Sequence, residues 1–355
     1  MKRTRRWMGA LALAAGLAAA ACSSDVNKPE NVNPQSVATG VSGITDQFSS
    51  NLAFQSLREL STSFGFSAVS GAATAAAAVL PPLPGGSRGF TLSPAQHAAL
   101  LQLSLRTPSA EQAIFPVNVL GRTLVWDTTL NKYVVDSTLT GAPSNGVRFK
   151  LYLVGDTVLH RPQKPLIVVG YVDLTDLSNA QSNKLGVLIK YLSQTIADYT
   201  ITGTLTTSAL GLGALGYITD GTARLDFDLQ VQVSLSGVGL NYTLTGSNGF
   251  QAIVQANLNV GTGVTTVLWR VANGGNSVEL DLSATDSTAT GQILFNGVTV
   301  ATVRGSQGNP TIVASGGHSL TAQDIESLRS VFAGFTELMD QVDGVFGPAH
   351  LVFNF

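Results

Sequence analysis

Arg224-Leu-Asp-Phe-Asp-Leu-Gln-Val-Gln-Val-Ser-Leu235 alternates without an error. Leu225, Phe227, Leu229, Val231, Val233 and Leu235 hold one parity; Arg224, Asp226, Asp228, Gln230, Gln232 and Ser234 hold the other. Successive side chains of an extended chain point to opposite faces, so this stretch predicts a strand with one dry face and one wet face. Phe250 to Val260 repeats the pattern, with Phe250, Ala252, Val254, Ala256, Leu258 and Val260 set against mostly Gln and Asn. Val278, Leu280 and Leu282 oppose Glu279, Asp281 and Ser283. Turn signals separate the runs at Ser247-Asn248-Gly249, Gly261-Thr262-Gly263, Asn273-Gly274-Gly275 and Asn296-Gly297. Short turns between alternating strands make neighbours antiparallel, and the segment reads as a meander forming one large sheet.

Working outward, strand character begins near Leu120. Val147 to Val154 alternates with Arg148 and Lys150 outward, Leu166 to Leu174 is apolar on both faces as a covered central strand is, and Tyr199 to Thr206 alternates. Leu185 to Leu192 fits helix or strand. Upstream, Ile44, Phe48 and Leu52, then Leu57, Leu60 and Phe64, recur at helical spacing between Val41 and Phe66. An alanine-rich run from Ala72 to Val79 is cut by Pro81-Pro82-Leu83-Pro84-Gly85-Gly86, and Ser93-Pro94 opens a short helix through Leu105. Near the end, Thr321 and Asp324 form a capping box. Ile325, Leu328, Phe332, Phe335, Met339, Val342 and Phe346 follow as one apolar stripe, stopped at Gly347-Pro348. Leu351, Phe353 and Phe355 make a last short strand. The expected fold is therefore α+β: a large curved antiparallel meander packed against a long C-terminal amphipathic helix over 321–346 and against N-terminal helices. One domain spans 40–355, helical over 40–106 and β-rich over 119–315.

The N-terminus carries a different signal. Lys2, Arg3, Arg5 and Arg6 precede an apolar run from Trp7 to Ala21, and the chain turns polar at Ser23-Ser24-Asp25. A basic start, an apolar core and small residues before a cut site make a secretory signal peptide over 1–21. Ala19-Ala20-Ala21 is an A-x-A site, and the next residue, Cys22, is the one cysteine of the chain. With that cysteine the junction resembles the lipobox of bacterial lipoproteins, alanine standing where the family more often has leucine. The resemblance implies a diacylglyceryl group on Cys22 and, with Ser23 and not Asp next, sorting to the outer membrane. Residues 22–39, with Pro29, Pro34 and three asparagines, read as a lipid-anchored tether. Thr4-Arg5-Arg6 also reads as a twin-arginine fragment, though Trp7-Met8-Gly9 continues it poorly.

Removing the leader leaves 16 basic against 22 acidic residues, a net charge of −6, which argues against nucleic acid as a partner. No residue set points to catalysis, a cofactor or a metal. Gly211-Leu-Gly213-Ala-Leu-Gly216 spells a dinucleotide fingerprint, but a turn and a strand follow where a helix must start, so the reading is a flexible loop between strands. His97, His160, His318 and His350 are scattered. His318, Ser319 and Asp324 lack a Gly-x-Ser-x-Gly elbow. Asp226 with Asp228, and Asp281 with Asp286, suit solvated strand faces and loops.

The expectation is an exported, non-enzymatic, lipid-anchored protein of the cell envelope. It is an outer-membrane lipoprotein facing the periplasm or the surface, held to the membrane through Cys22, binding an apolar ligand or another envelope protein. The apolar-ligand version rests on analogy with half-barrel lipoprotein carriers. The alternatives are a purely structural lipoprotein, or an outer-membrane barrel with its apolar faces toward lipid, for which the ending Leu351 to Phe355 resembles a terminal strand signal.

Overall fold

The computed structural model describes residues 34–60, 114–156, 161–179, 182–205, 208–285, 288–306, 309–315 and, in part, 320–338. Helices α1 (Pro34–Ser49) and α2 (Leu52–Leu60) come first. Asn51 separates them: its Oδ1 accepts the backbone N–H groups of Ala53 and Phe54, capping α2. The drift in the Ile44–Leu60 stripe is this break. Val37, Ala38, Val41 and Ile44 of α1 are buried, as are Phe54, Leu57 and Leu60 of α2. Pro34 to Thr39 thus belong to a packed helix, and the expected tether ends before them.

Seventeen strands follow among the described residues: β1 (Arg122–Asp127), β2 (Lys132–Asp136), β3 (Gly146–Tyr152), β4 (Val154–Asp156), β5 (Arg161–Pro162), β6 (Val168–Asp176), β7 (Asn183–Tyr191), β8 (Gln194–Leu205), β9 (Ala209–Thr219), β10 (Arg224–Ser234), β11 (Gly237–Gly246), β12 (Gln251–Asn259), β13 (Val264–Asn273), β14 (Asn276–Ala284), β15 (Ala289–Phe295), β16 (Val298–Ser306) and β17 (Asn309–Ala314). Fifteen of them form one sheet; β4 and β5 pair separately. From β6 to β17 each strand pairs antiparallel with its successor, the meander read from the turns. The turns are where expected. Gly249, Gly263, Gly274, Gly275, Asn296 and Gly297 all have positive φ, which tight hairpins require. The sheet departs from a meander at one margin, where β1 lies between β2 and β3 and runs parallel to β3.

The α+β expectation is corrected. The molecule is built on the antiparallel sheet, and its helical part among the described residues is short. The long continuous helix expected over 321–346 is not found among the described residues, of which those between Ala322 and Leu338 are helical. Thr321 and Asp324 do cap each other, Asp324 Oδ2 accepting the Thr321 hydroxyl at 2.6 Å and its amide at 2.9 Å. Of the stripe, Leu328 alone lies among the described residues. Leu328 is buried, but so are Ser327, Val331 and Leu338, which lie off it. The physical reason is the partner. Ser327 donates to Gln35, and Val41 lies beside Gly334, so this segment meets α1 as well as any strand surface. The remaining stripe residues, the stretches 72–79 and 93–105, and the final 351–355 segment lie outside the described residues.

The sheet's dry parity is the core. In β10, burial alternates at every position, with Leu225, Phe227, Leu229, Val231 and Val233 inside. The same holds for Val187 and Ile189 of β7 and for Tyr199 and Ile201 of β8, so β7, ambiguous between helix and strand, is a strand. β6 is largely covered from Val169 to Leu174, with Val169, Val172, Asp173 and Leu174 buried, but Ile167 and Val168, in the run expected to be covered, are exposed. α1 touches β13 and β14; α2 touches β3, β6 and β7. Trp126, Tyr133 and Phe149 stack edge to face at 5.4 and 5.2 Å where β1, β2 and β3 meet.

Two predictions follow from this packing. Leu57→Ala, which hollows the contact of α2 with the sheet, lowers unfolding stability by about 3 kcal/mol in a urea titration. Burial holds the phenols of Tyr133 and Tyr199 well above their ordinary ionisation range, because the charged form is desolvated. Their contribution is complete below pH ~10 and declines as pH rises past that value, where the unfolded chain ionises and the folded one does not. Melting curves between pH 8 and 11 will therefore fall, and Tyr199→Phe will shallow the slope.

Candidate functional site

Register places a group of uncharged polar residues side by side on the wet parity of the central strands. Lys184, Thr202, Gly213, Gln230, Asn241 and Gln255 pair in one continuous row across β7 to β12. Two residues along, Thr204, Gly211, Gln232, Gly239 and Asn257 make a second row. Thr200, Leu215 and Asp228 begin a third. Between them runs a trough of about 850 Å³.

Three glycines shape its floor. A Cβ on Gly213 would stand 3.3 Å from Gln230 Oε1, one on Gly239 3.3 Å from Asn257 Oδ1, and one on Gly211 2.5 Å from the Thr204 hydroxyl. At each glycine a neighbouring amide or hydroxyl occupies the space a Cβ would take, so these polar groups lie low against the sheet. Gly216 has a different role. It faces the core, where a Cβ would run into the Asp198 carbonyl and Tyr199. The Gly211–Gly216 motif is therefore part of strand β9 and not a flexible loop: two of its glycines floor the trough and the third admits Tyr199.

Charge is kept to the margins. Lys184 is the one formally charged residue lining the trough among those described. Gln230 Nε2 donates to Asp228 at 2.9 Å, which leaves the Gln230 carbonyl over Gly213. Toward the β9–β10 hairpin end, Arg224 pairs with Asp226 at 2.6 Å and lies 3.7 Å over the Tyr217 ring. On β3 and β6, Arg148 grips Asp173 with two bonds of 2.6 and 2.7 Å and lies 3.8 Å over Tyr171. The hydrogen bond to Asp173 raises the Arg148 pKa against the opposing effect of burial. These pairs satisfy their own charges.

The residues singled out from sequence fall elsewhere. Cys22, His97, His160, His318, Ser319, His350 and Asp286 lie outside the described residues. Asp324 caps Thr321, Asp226 is held by Arg224, and Asp281 is exposed on β14. Among the described residues, no cluster of His, Cys, Asp and Glu has the makings of a metal site. The amide and hydroxyl rows were in the sequence as Thr200/Thr202/Thr204, Gln230/Gln232 and Gln255/Asn257. Their alignment depends on strand register, which parity alone does not supply. Comparison with known proteins finds no family model, curated relative or solved structure that matches the chain.

Gly213→Ala and Gly216→Ala, three residues apart on one strand, will separate the two faces. The first leaves thermal stability within about 1 kcal/mol because only a mobile amide must yield; the second costs roughly 3 kcal/mol or more because backbone must.

Proposed function

We propose that this chain is an exported, lipid-anchored envelope protein that performs no chemistry and works by recognition, through the wet face of its sheet. The polar trough carries this reading. It is a built concavity on the solvent side of a sheet whose other side is committed to the core. The leader and Cys22 supply the anchor, as in the lipoproteins that the junction resembles. Helix α1 begins twelve residues after Cys22, a stretch able to reach at most ~40 Å.

The trough favours a polar partner over an apolar ligand. Inner-face side chains such as Leu229, Tyr242 and Leu244 are close to fully buried, whereas the concavity carries amides and hydroxyls beside Leu212, Leu215, Val231 and Leu240. The barrel alternative has less support for the same reason: the apolar parity packs inward with α1 and α2, and the parity facing out is polar, the reverse of a lipid-facing wall. No helix of the described residues is long and apolar enough to cross a membrane.

Expressed in a bacterium with lipoprotein processing and fed radiolabelled palmitate, the full chain takes up label and sediments with membranes. Cys22→Ala abolishes the label and releases the protein to the soluble fraction. Label that persists in the variant, or none in the parent, overturns the anchor.

A further inference from the structure

We infer that the trough across β8 to β12 binds a neutral, polyhydroxylated chain of the glycan type. This deepens the recognition reading and rests on it for the role of the wet face, though not on the anchor. Five adjacent strands at about 4.8 Å spacing give the trough a length of roughly 19 Å. Its volume of about 850 Å³ is that of an ordinary ligand site.

The lining selects the chemistry. The side chains of Gln232, Asn241, Gln255 and Asn257 are exposed, and each amide offers both donors and an acceptor. A sugar hydroxyl likewise donates and accepts, so each amide can meet either role of the ring substituents. A polyanion would find one cation, Lys184, and a polycation no carboxylate in the lining. An extended peptide docks by adding to a sheet edge. Here the backbone of β8 to β12 is already paired on both sides. The lining mixes polar groups with Leu212, Leu215, Val231 and Leu240, which suits rings with hydroxyl edges and a C–H face better than a wholly apolar ligand. Leu215, 59% exposed beside Thr200 and Asp228, is the exposed one of these four, a shelf for the C–H side of one ring. Gly211, Gly213 and Gly239 let the polar groups of Thr204, Gln230 and Asn257 lie low, so a chain of rings resting on those groups lies close to the sheet.

The test is isothermal titration of the full chain, purified in a polyoxyethylene detergent free of sugar, with maltohexaose and N-acetylchitohexaose. Dextran sulfate and oligolysine serve as charged comparators. At least one neutral hexasaccharide binds. Its affinity falls about tenfold in the Gln232→Ala/Asn257→Ala double variant, which loses two hydrogen-bonding groups, and at least as much in Gly213→Leu, which fills the floor. Gln251→Ala, on the same face but outside the trough, leaves the affinity within about twofold. The double variant changes two exposed side chains, so its melting temperature stays that of the parent and its titration decides the matter even if Gly213→Leu fails to fold. Binding of neither hexasaccharide overturns the inference. So does binding that both variants leave intact, or tighter binding of either charged polymer. Titration and membrane fractionation are read separately, so loss of the anchor and loss of the glycan site are distinguishable.

Discussion

A sheet of fifteen strands with a single apolar face has to cover that face, and the rest of the molecule is arranged around this need. Sheets of such width do not remain flat, because strand twist accumulates and they curl, split or stack. Here consecutive helices serve separated parts of the sheet. α1 reaches β13 and β14, α2 reaches β3, β6 and β7, and the two helices touch each other. One continuous apolar core results, running from Trp126 and Phe149 at one margin to Ile293 and Val303 near the other. Register shifts at Leu151/Tyr152, Ile189/Lys190 and Ile293/Leu294 interrupt the ladders, as bulges do where strands bend. Asn51, by ending one helix and capping the next, lets a short chain segment change direction across the inner face.

The wet face is freed by the same arrangement. With hydrophobic demand met on one parity, the other carries whatever side chains solubility and recognition require. Its charges are largely self-contained: Arg148 with Asp173 is half-sheltered and bidentate, while Arg224 with Asp226 is exposed and contributes little to stability. Between these pairs the trough lining is uncharged except for Lys184. Neutral amides cost little to desolvate compared with ions, so a partner with hydroxyl groups exchanges one set of hydrogen bonds for another without a Born penalty.

How far this was legible depended on whether the wet parity has side chains. β10, β12 and β14 declared themselves because Asp, Gln, Asn and Glu alternate with Leu, Val and Ala. β9 did not. Its outward positions include Gly211 and Gly213, which have no side chain to show polarity, so Ala209 to Thr219 resembled a glycine-rich loop and a nucleotide motif. β7 stayed ambiguous because Leu185, Val187, Leu188 and Ile189 satisfy both periods. The parallel β1–β3 pair was beyond pattern reading, since alternation tells which face a residue takes and nothing about which strand lies beside it. The C-terminal stripe was over-read for a related reason. Periodicity identified an amphipathic segment but not its partner, and the segment reaches α1 where Ser327 donates to Gln35 and Gly334 lies beside Val41. The trough needed register as well as parity, and register emerges only when turn lengths and neighbours are known.

The position of α1 adds a direction. Asn273 donates to the Ser36 carbonyl and Asn276 to the Ser36 hydroxyl, each at 3.0 Å, which fixes the start of the helix at the β13–β14 hairpin. A chain arriving from an anchor at Cys22 therefore enters at that end of the sheet. The two trough rows end at Gln255 and Asn257, which pair with Leu268 and Thr266 of β13. Those partners lie five and seven residues from Asn273, or about 16–23 Å along the strand. Under the proposed anchoring, then, the hairpin end is nearer the bilayer and the trough sits in the distal half of the face. The distal half is where a long polymer could lie across the strands without competing with the membrane for space.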